Sequence, residues 1–168
     1  RKHALDAAFP QTGVVEILVE TKVVGTPKTP RNPKQKNPLG RPGSADLDKR
    51  VKEAALKTID LKAQWARGDA RGGGPTSDLL SWLRSAKPHC VLLLAARIVS
   101  DADLRQAEKA VDAATQYMDA CGLVAYSPRN DRYERREIRR SNDMDVVLAR
   151  LCDKLRSLPP HETTHGEK

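Results

Sequence analysis

Glu20 and Lys22 are the residues of this sequence whose types and spacing are best suited to chemistry. They lie two positions apart in an apolar stretch, residues 13–25, that is rich in β-branched side chains. Because side chains alternate between the two faces of a strand, both would point to one face, with Cα atoms roughly 6.5–7 Å apart. A carboxylate and an amine so placed can help to hold a hard divalent cation and to stabilise charge on a phosphate during hydrolysis. The competing interpretation is a solvated strand edge, whose charges discourage pairing with another chain.

A second carboxylate, Asp6, precedes this stretch. Asp6 followed by Glu20-Thr21-Lys22 on the next strand resembles the motif of the PD-(D/E)XK nuclease superfamily, which includes many restriction endonucleases. At one position the sequence departs from that motif, since Leu5 stands where the superfamily has proline. The resemblance implies that Asp6, Glu20 and the Thr21 carbonyl bind Mg²⁺, for which Mn²⁺ can substitute. It also implies that Asp6, Glu20 and Lys22 are the catalytic residues.

The register between Asp6 and the long strand decides whether the two carboxylates meet. Pro10-Gln-Thr-Gly13 is typical of a turn, and a tight hairpin there would set Asp6 opposite Ile17, three positions before Glu20. A β-bulge, a looser turn or a bend at Asp6 is therefore required to bring the carboxylates together. Glu16 is a spare candidate ligand on the same strand face, ranked below Asp6 because it lies farther along the strand from the amine.

Period-two alternation also predicts which face of the long strand is buried. One face carries only β-branched residues, which suit a buried surface, and the opposite face mixes charged with apolar residues. The predicted buried face consists of Val15, Ile17, Val19, Thr21 and Val23.

Two basic segments predict contacts with the phosphates of double-stranded DNA. Residues 26–43 hold five prolines, five basic residues and no acid, which indicates an extended loop. Its position directly after the strand favours phosphate contacts over a disordered linker. Residues 129–140 hold six arginines and three acids, so a self-paired surface is the default there and contact with a duplex or a partner subunit is the alternative. With two cations at the start of the next helix, the predicted DNA-binding residues are Lys28, Arg31, Lys34, Lys36, Arg41, Lys49, Arg50, Arg132, Arg135 and Arg136.

Helical and strand patterns alternate along the rest of the chain. This alternation predicts an α/β fold with a mixed central β-sheet flanked by helices, similar to the restriction-endonuclease-like core. The cationic face of the first helix, which includes Lys57 and Lys62, is predicted to be solvated. The predicted elements are a helix over 44–67, a short helix opened by Thr76, a buried strand over 89–99, a helix from Ser100 to Gly122, a short strand over 123–126 and a helix capped by Asn142.

Length and composition favour one basic intracellular domain. The 168 residues suit a single domain over 1–158, with residues 26–43 as an inserted loop and 159–168 as a disordered tail. A net charge of +8 favours a polyanionic partner, and 4% aromatic residues count against a single-strand binder built on stacking. Three widely spaced cysteines in apolar patterns are predicted to be reduced core residues of a cytoplasmic protein. No apolar run reaches membrane-spanning length, so no membrane association is expected.

These features together predict a Mg²⁺-dependent endonuclease of restriction type that hydrolyses double-stranded DNA as a homodimer. The alternative is a non-catalytic basic nucleic-acid-binding module, in which Glu16 and Glu20 are merely paired to nearby cations. A third possibility is a truncated nuclease, because a helix ordinarily precedes these two strands in such enzymes and the printed chain begins close to Asp6.

Overall fold

A five-stranded mixed β-sheet forms the centre of the structure, which is a computed structural model describing residues 6–9, 15–26, 40–68, 74, 78–130 and 132–158. In sheet order, which is also chain order, the strands are β1 (Ala7–Phe9), β2 (Ile17–Val24), β3 (His89–Arg97), β4 (Ala120–Arg129) and β5 (Arg132–Arg136). The three inner strands run parallel, and each outer strand is antiparallel to its neighbour.

The described part of the chain forms four α-helices around the sheet: α1 (Ser44–Gly68), α2 (Leu79–Ser85), α3 (Asp101–Ala114) and α4 (Met144–Ser157). The larger core lies between one sheet face and helices α1 and α3, whereas α4 packs on the other face through Val147. The predicted α/β fold with a mixed sheet flanked by helices is therefore confirmed. None of the described helices is long and apolar enough to cross a membrane.

The predicted buried face of β2 is wrong over its second half. Ile17 and Val19 do pack towards α4, but Val23 on the same face is 82% exposed. Leu18 and Val24, on the opposite face, belong to the larger core under α1 and α3. The β-branched composition fails to identify the buried face because helix coverage, and not strand propensity, decides what is buried.

Two predicted helix ends are also wrong. The helix expected to reach Gly122 ends at Ala114, and Gly122 lies within β4. A Cβ at Gly122 would approach Leu93 Cδ2 and Met144 Sδ to 3.1 Å, so the glycine serves close packing between α4 and the sheet, not helix termination. The last helix is capped by Asp143, whose carboxylate accepts from the Asp145 amide at 2.9 Å.

Asn142, the predicted cap of α4, has another role: its buried side chain donates to Asp112 Oδ1 at 2.5 Å. The caps of α3 and α2 can also be compared with the prediction. Ser100 does cap α3, as predicted, by accepting from the Asp103 amide at 3.1 Å. Asp78 caps α2, whereas Thr76, the predicted start, lies outside the described residues.

The cysteines divide into two environments. Cys90 and Cys121 are buried beneath α1 and α3, as predicted for core residues, and burial raises the pKa of Cys90 to about 11 and that of Cys121 to about 12. Cys152 is exposed on α4, so its prediction as a core residue is wrong. All three are free thiols.

Several predictions fall on parts of the chain outside the described residues. These parts include the whole turn at 10–13 and the basic loop at 27–39, with Lys28, Arg31, Lys34 and Lys36. The predicted tail at 159–168 lies outside as well, so the division into one domain and a tail stays a prediction. The two ends of the basic loop are described: Thr26 and Arg41 form an antiparallel bridge, so the loop leaves and returns at the end of β2.

Candidate active site

The pairing of β1 with β2 brings Asp6 level with Glu20. Ala7 pairs with Val19 and Phe9 with Ile17, and one further step of this antiparallel register places Asp6 opposite Glu20. The tight hairpin, which would have set Asp6 opposite Ile17, does not form. The observed register instead leaves residues 10–16 between the two strands, a longer connection than a tight hairpin at residues 10–13.

Asp6 meets the edge of β2 with its side chain, since β1 begins only at Ala7. Asp6 Oδ2 accepts hydrogen bonds from the Thr21 backbone amide at 2.6 Å and from Thr21 Oγ1 at 2.9 Å. These two bonds, assisted by the charges of Lys22 and Lys57, hold the pKa of the exposed Asp6 carboxyl below its usual range. Asp6 is therefore a carboxylate throughout the neutral pH range.

The Thr21 carbonyl points to the same edge as its amide, because both backbone groups of a strand residue face the same neighbouring strand. The amide is bonded to Asp6, so the carbonyl and the Asp6 carboxylate lie side by side at this edge. A backbone oxygen and a carboxylate oxygen are thus presented together.

Glu20 is buried on the sheet face that α1 covers. Its Oε1 accepts from Lys57 Nζ of α1 at 2.6 Å and is also in direct contact with Lys22 Nζ. Its Oε2 is buried and has no hydrogen-bond partner among the described residues. A buried carboxylate oxygen without a partner is energetically costly, so a ligand at this atom would lower the free energy of the folded state.

Lys22 Nζ touches all three of the predicted metal ligands. Besides Glu20 Oε1, it donates to the Thr21 carbonyl at 2.9 Å and lies 3.7 Å from Asp6 Oδ2. Oxygen atoms from the three ligands therefore surround one point, and a cationic group stands there.

The donor set around that point fits Mg²⁺. Carboxylate and carbonyl oxygens are the hard donors that Mg²⁺ prefers, and Mg²⁺ commonly takes one or two carboxylates and keeps several waters. The described residues contain no group of three or more His, Cys, Asp or Glu side chains that could hold a metal ion. A cation at this point would therefore be bound by two carboxylates and one backbone carbonyl, and not by three side chains. Glu16, the spare ligand, instead pairs with Lys87 at 2.7 Å.

Lys57 is a residue of this site that the sequence interpretation missed. The charge pattern of α1 predicts a solvated position for Lys57, yet its amine reaches across to Glu20. A signal was available: Lys57 lies three residues after Ala54 and immediately before Thr58, both buried, and so borders the apolar stripe of α1. Arg50, two turns earlier on the same face of α1, binds Glu53 at 2.8 Å.

The described members of the predicted DNA-binding set are mostly engaged in ion pairs. Arg41 binds Asp46 at 2.5 Å, and Lys49 lies 3.9 Å from Glu53. In the arginine-rich segment, Arg135 binds Asp143 and Asp145, Arg136 binds Asp101, and Arg132 is exposed. Arg129 binds Glu134 within the segment at 2.9 Å, whereas Arg135 and Arg136 bind acids outside it, so the self-paired surface predicted as the default for residues 129–140 is present only in part.

His89 and Arg97, at the two ends of β3, lie away from the cluster formed by the three predicted catalytic residues. His89 pairs with Ile17 at the start of β2 and lies 3.8 Å from Asp119, and Arg97 ends the strand. A cavity of about 540 Å³ on the α4 side is lined by His89, Asp119 and Arg150 and includes none of the predicted catalytic residues.

Comparison of the chain with protein families, with curated proteins and with solved structures finds no match.

Proposed function

We propose that this chain is a Mg²⁺-dependent endonuclease that hydrolyses double-stranded DNA, of restriction type and homodimeric, with its sheet forming a restriction-endonuclease-like core. The observation that carries the proposal is the convergence of Asp6, Glu20 and the Thr21 carbonyl on the amine of Lys22. Asp6 lies immediately before β1 and the other three residues lie on β2, and the sequence motif alone did not ensure that they would meet.

In this proposal each residue has one role. Asp6 and Glu20 hold the cation with the Thr21 carbonyl, and Lys22, released from its present contacts, stabilises the negative charge that develops on the phosphate. When bound, Mg²⁺ would supply an activated water for in-line attack and would neutralise charge on the phosphate.

The charges of the site are consistent with a phosphodiester substrate. Asp6 and Glu20 carry two negative charges, and Lys22 and Lys57 carry two positive charges, so the four residues sum to zero. A divalent cation leaves a local excess of two positive charges. A phosphodiester carries one negative charge and gains more in the transition state, so such an excess stabilises the transition state more than the ground state.

The position of the site suits a long polymer. Asp6 and Thr21 are exposed at the edge of the sheet, and the basic loop returns to the neighbouring end of β2 through Arg41. An open edge beside a cationic loop admits a duplex, whose backbone such cations would position without reading bases.

One observation favours the second candidate, a non-catalytic nucleic-acid-binding module. Glu16 pairs with Lys87, and Glu20 with Lys57, as that hypothesis expects. Incubation of supercoiled plasmid with the protein in Mg²⁺, against an EDTA control, separates the two. The nuclease nicks or linearises the plasmid in Mg²⁺ only, whereas the binding module retards plasmid in both buffers and never cuts it. Glu20→Ala and Lys22→Ala are expected to abolish cutting and to keep DNA binding.

A further inference from the structure

Lys57 and Lys22 bind the same oxygen of Glu20 from opposite elements. Lys57 Nζ of α1 donates to Glu20 Oε1 at 2.6 Å, and Lys22 Nζ of β2 contacts the same atom. Two amines on Oε1 leave Oε2 without a partner among the described residues. The two oxygens of one carboxylate are therefore in unlike surroundings.

The two amines differ in what else they touch. Lys22 Nζ also contacts the Thr21 carbonyl and Asp6, so it stands where the predicted ligands converge. Lys57 approaches Glu20 from the helix side. A cation bound by the three ligands would displace Lys22 but leave the Lys57 contact in place.

We propose that Lys57 is a positioning residue, which holds the Glu20 carboxylate beside the point where the three predicted ligands converge, and which weakens the binding of a divalent cation at that point. This inference rests on the cation site of the proposed function. The positive charge of Lys57 acts at short range on a cation that shares its carboxylate, in a partly buried place where screening is weak. Without Lys57, Glu20 would also gain rotamer freedom, and the loss of that freedom on cation binding would weaken the affinity. The removal of the repulsion is the larger of the two effects, because the repulsion acts on a double charge.

Mn²⁺ binding without DNA, followed by the electron paramagnetic resonance signal of the free ion, tests this inference. Lys57→Gln removes the charge but keeps a hydrogen-bond donor, and should bind Mn²⁺ about tenfold more tightly than the unmodified chain. Lys57→Met removes both charge and donor, and should bind more tightly than the unmodified chain but less tightly than Lys57→Gln. Lys57→Arg keeps the charge and should restore the affinity to within about twofold.

Lys52→Met is the matched control, since Lys52 lies on the same helix, is paired to Asp48 and is exposed. It should leave Mn²⁺ affinity unchanged. Circular dichroism of each variant establishes that it is folded, and Lys57→Gln carries the test if Lys57→Met does not fold.

The outcomes separate this inference from the proposed function. Equal or weaker Mn²⁺ binding by folded Lys57→Gln, with the unmodified chain binding normally, would overturn the role of Lys57 alone. If neither the unmodified chain nor any variant binds Mn²⁺, the cation site itself is refuted and the inference falls with it. A structural role alone would lower affinity in both uncharged variants, the opposite of the expected change.

Discussion

Replacement of Lys62 by methionine should destabilise the protein strongly. Lys62 is fully buried, and its amine donates to Asp119 Oδ2 at 2.8 Å and to the carbonyl of Leu83. Methionine fills similar volume but leaves the buried Asp119 carboxylate without its cation. Removal of one partner from a buried ion pair typically costs about 3–5 kcal/mol. The Cys90 amide still donates to Asp119 at 2.7 Å, so we expect the lower end, about 3 kcal/mol.

Urea unfolding, followed by circular dichroism, measures this loss. A loss of that size corresponds to roughly 6–12 °C in melting temperature for a chain of this length. Lys52→Met is the control, since Lys52 lies on the same helix and is 72% exposed beside Asp48. It should change the free energy of unfolding by less than about 1 kcal/mol.

The comparison discriminates between two views of α1. If Lys62 were on a solvated face, as the charge pattern of the sequence indicated, both variants would be nearly neutral. A loss below about 1 kcal/mol for Lys62→Met would therefore refute the buried ion pair and the packing of α1 on which it depends.

Two further predictions concern titration and reactivity. Thr21→Val removes the hydroxyl donor to Asp6 but keeps the backbone amide bond, so the pKa of Asp6 should rise towards its ordinary value and remain below it, as measured by carbon-13 NMR of the carboxyl group. A pKa of Asp6 that does not change would show that the hydroxyl contact is absent in solution. At pH 8 a thiol reagent should modify one thiol rapidly, that of the exposed Cys152, because burial holds the pKa of Cys90 at about 11 and that of Cys121 at about 12. Rapid modification of all three thiols in the native protein would contradict the packing of the core.

Local patterns were sufficient for the elements that depend on local physics. The apolar stripe of α1 and the continuous apolar run of β3 predicted both elements to within a few residues. The Ser100 cap was also visible, because capping involves residues three apart in sequence.

Features set by distant parts of the chain were not visible. The burial of Lys62 depends on Asp119, 57 positions away, and the charge pattern of the helix gave no sign of that partner. The contact between Lys57 and Glu20 spans 37 positions. The register that joins Asp6 to Glu20 depends on the length of the connection between strands, which the turn motif at residues 10–13 alone did not determine.

Oxygens of Asp6, Glu20 and Thr21 surround one point, which we propose to be the cation site. A crystal structure of the protein grown with Mn²⁺, with the ion located by its anomalous scattering, is the decisive measurement. We expect one anomalous peak within coordination distance of Asp6, Glu20 and the Thr21 carbonyl, with Lys22 moved away from its present contacts. Carboxylates on opposite sides of the sheet, or Mn²⁺ bound only elsewhere, would contradict it.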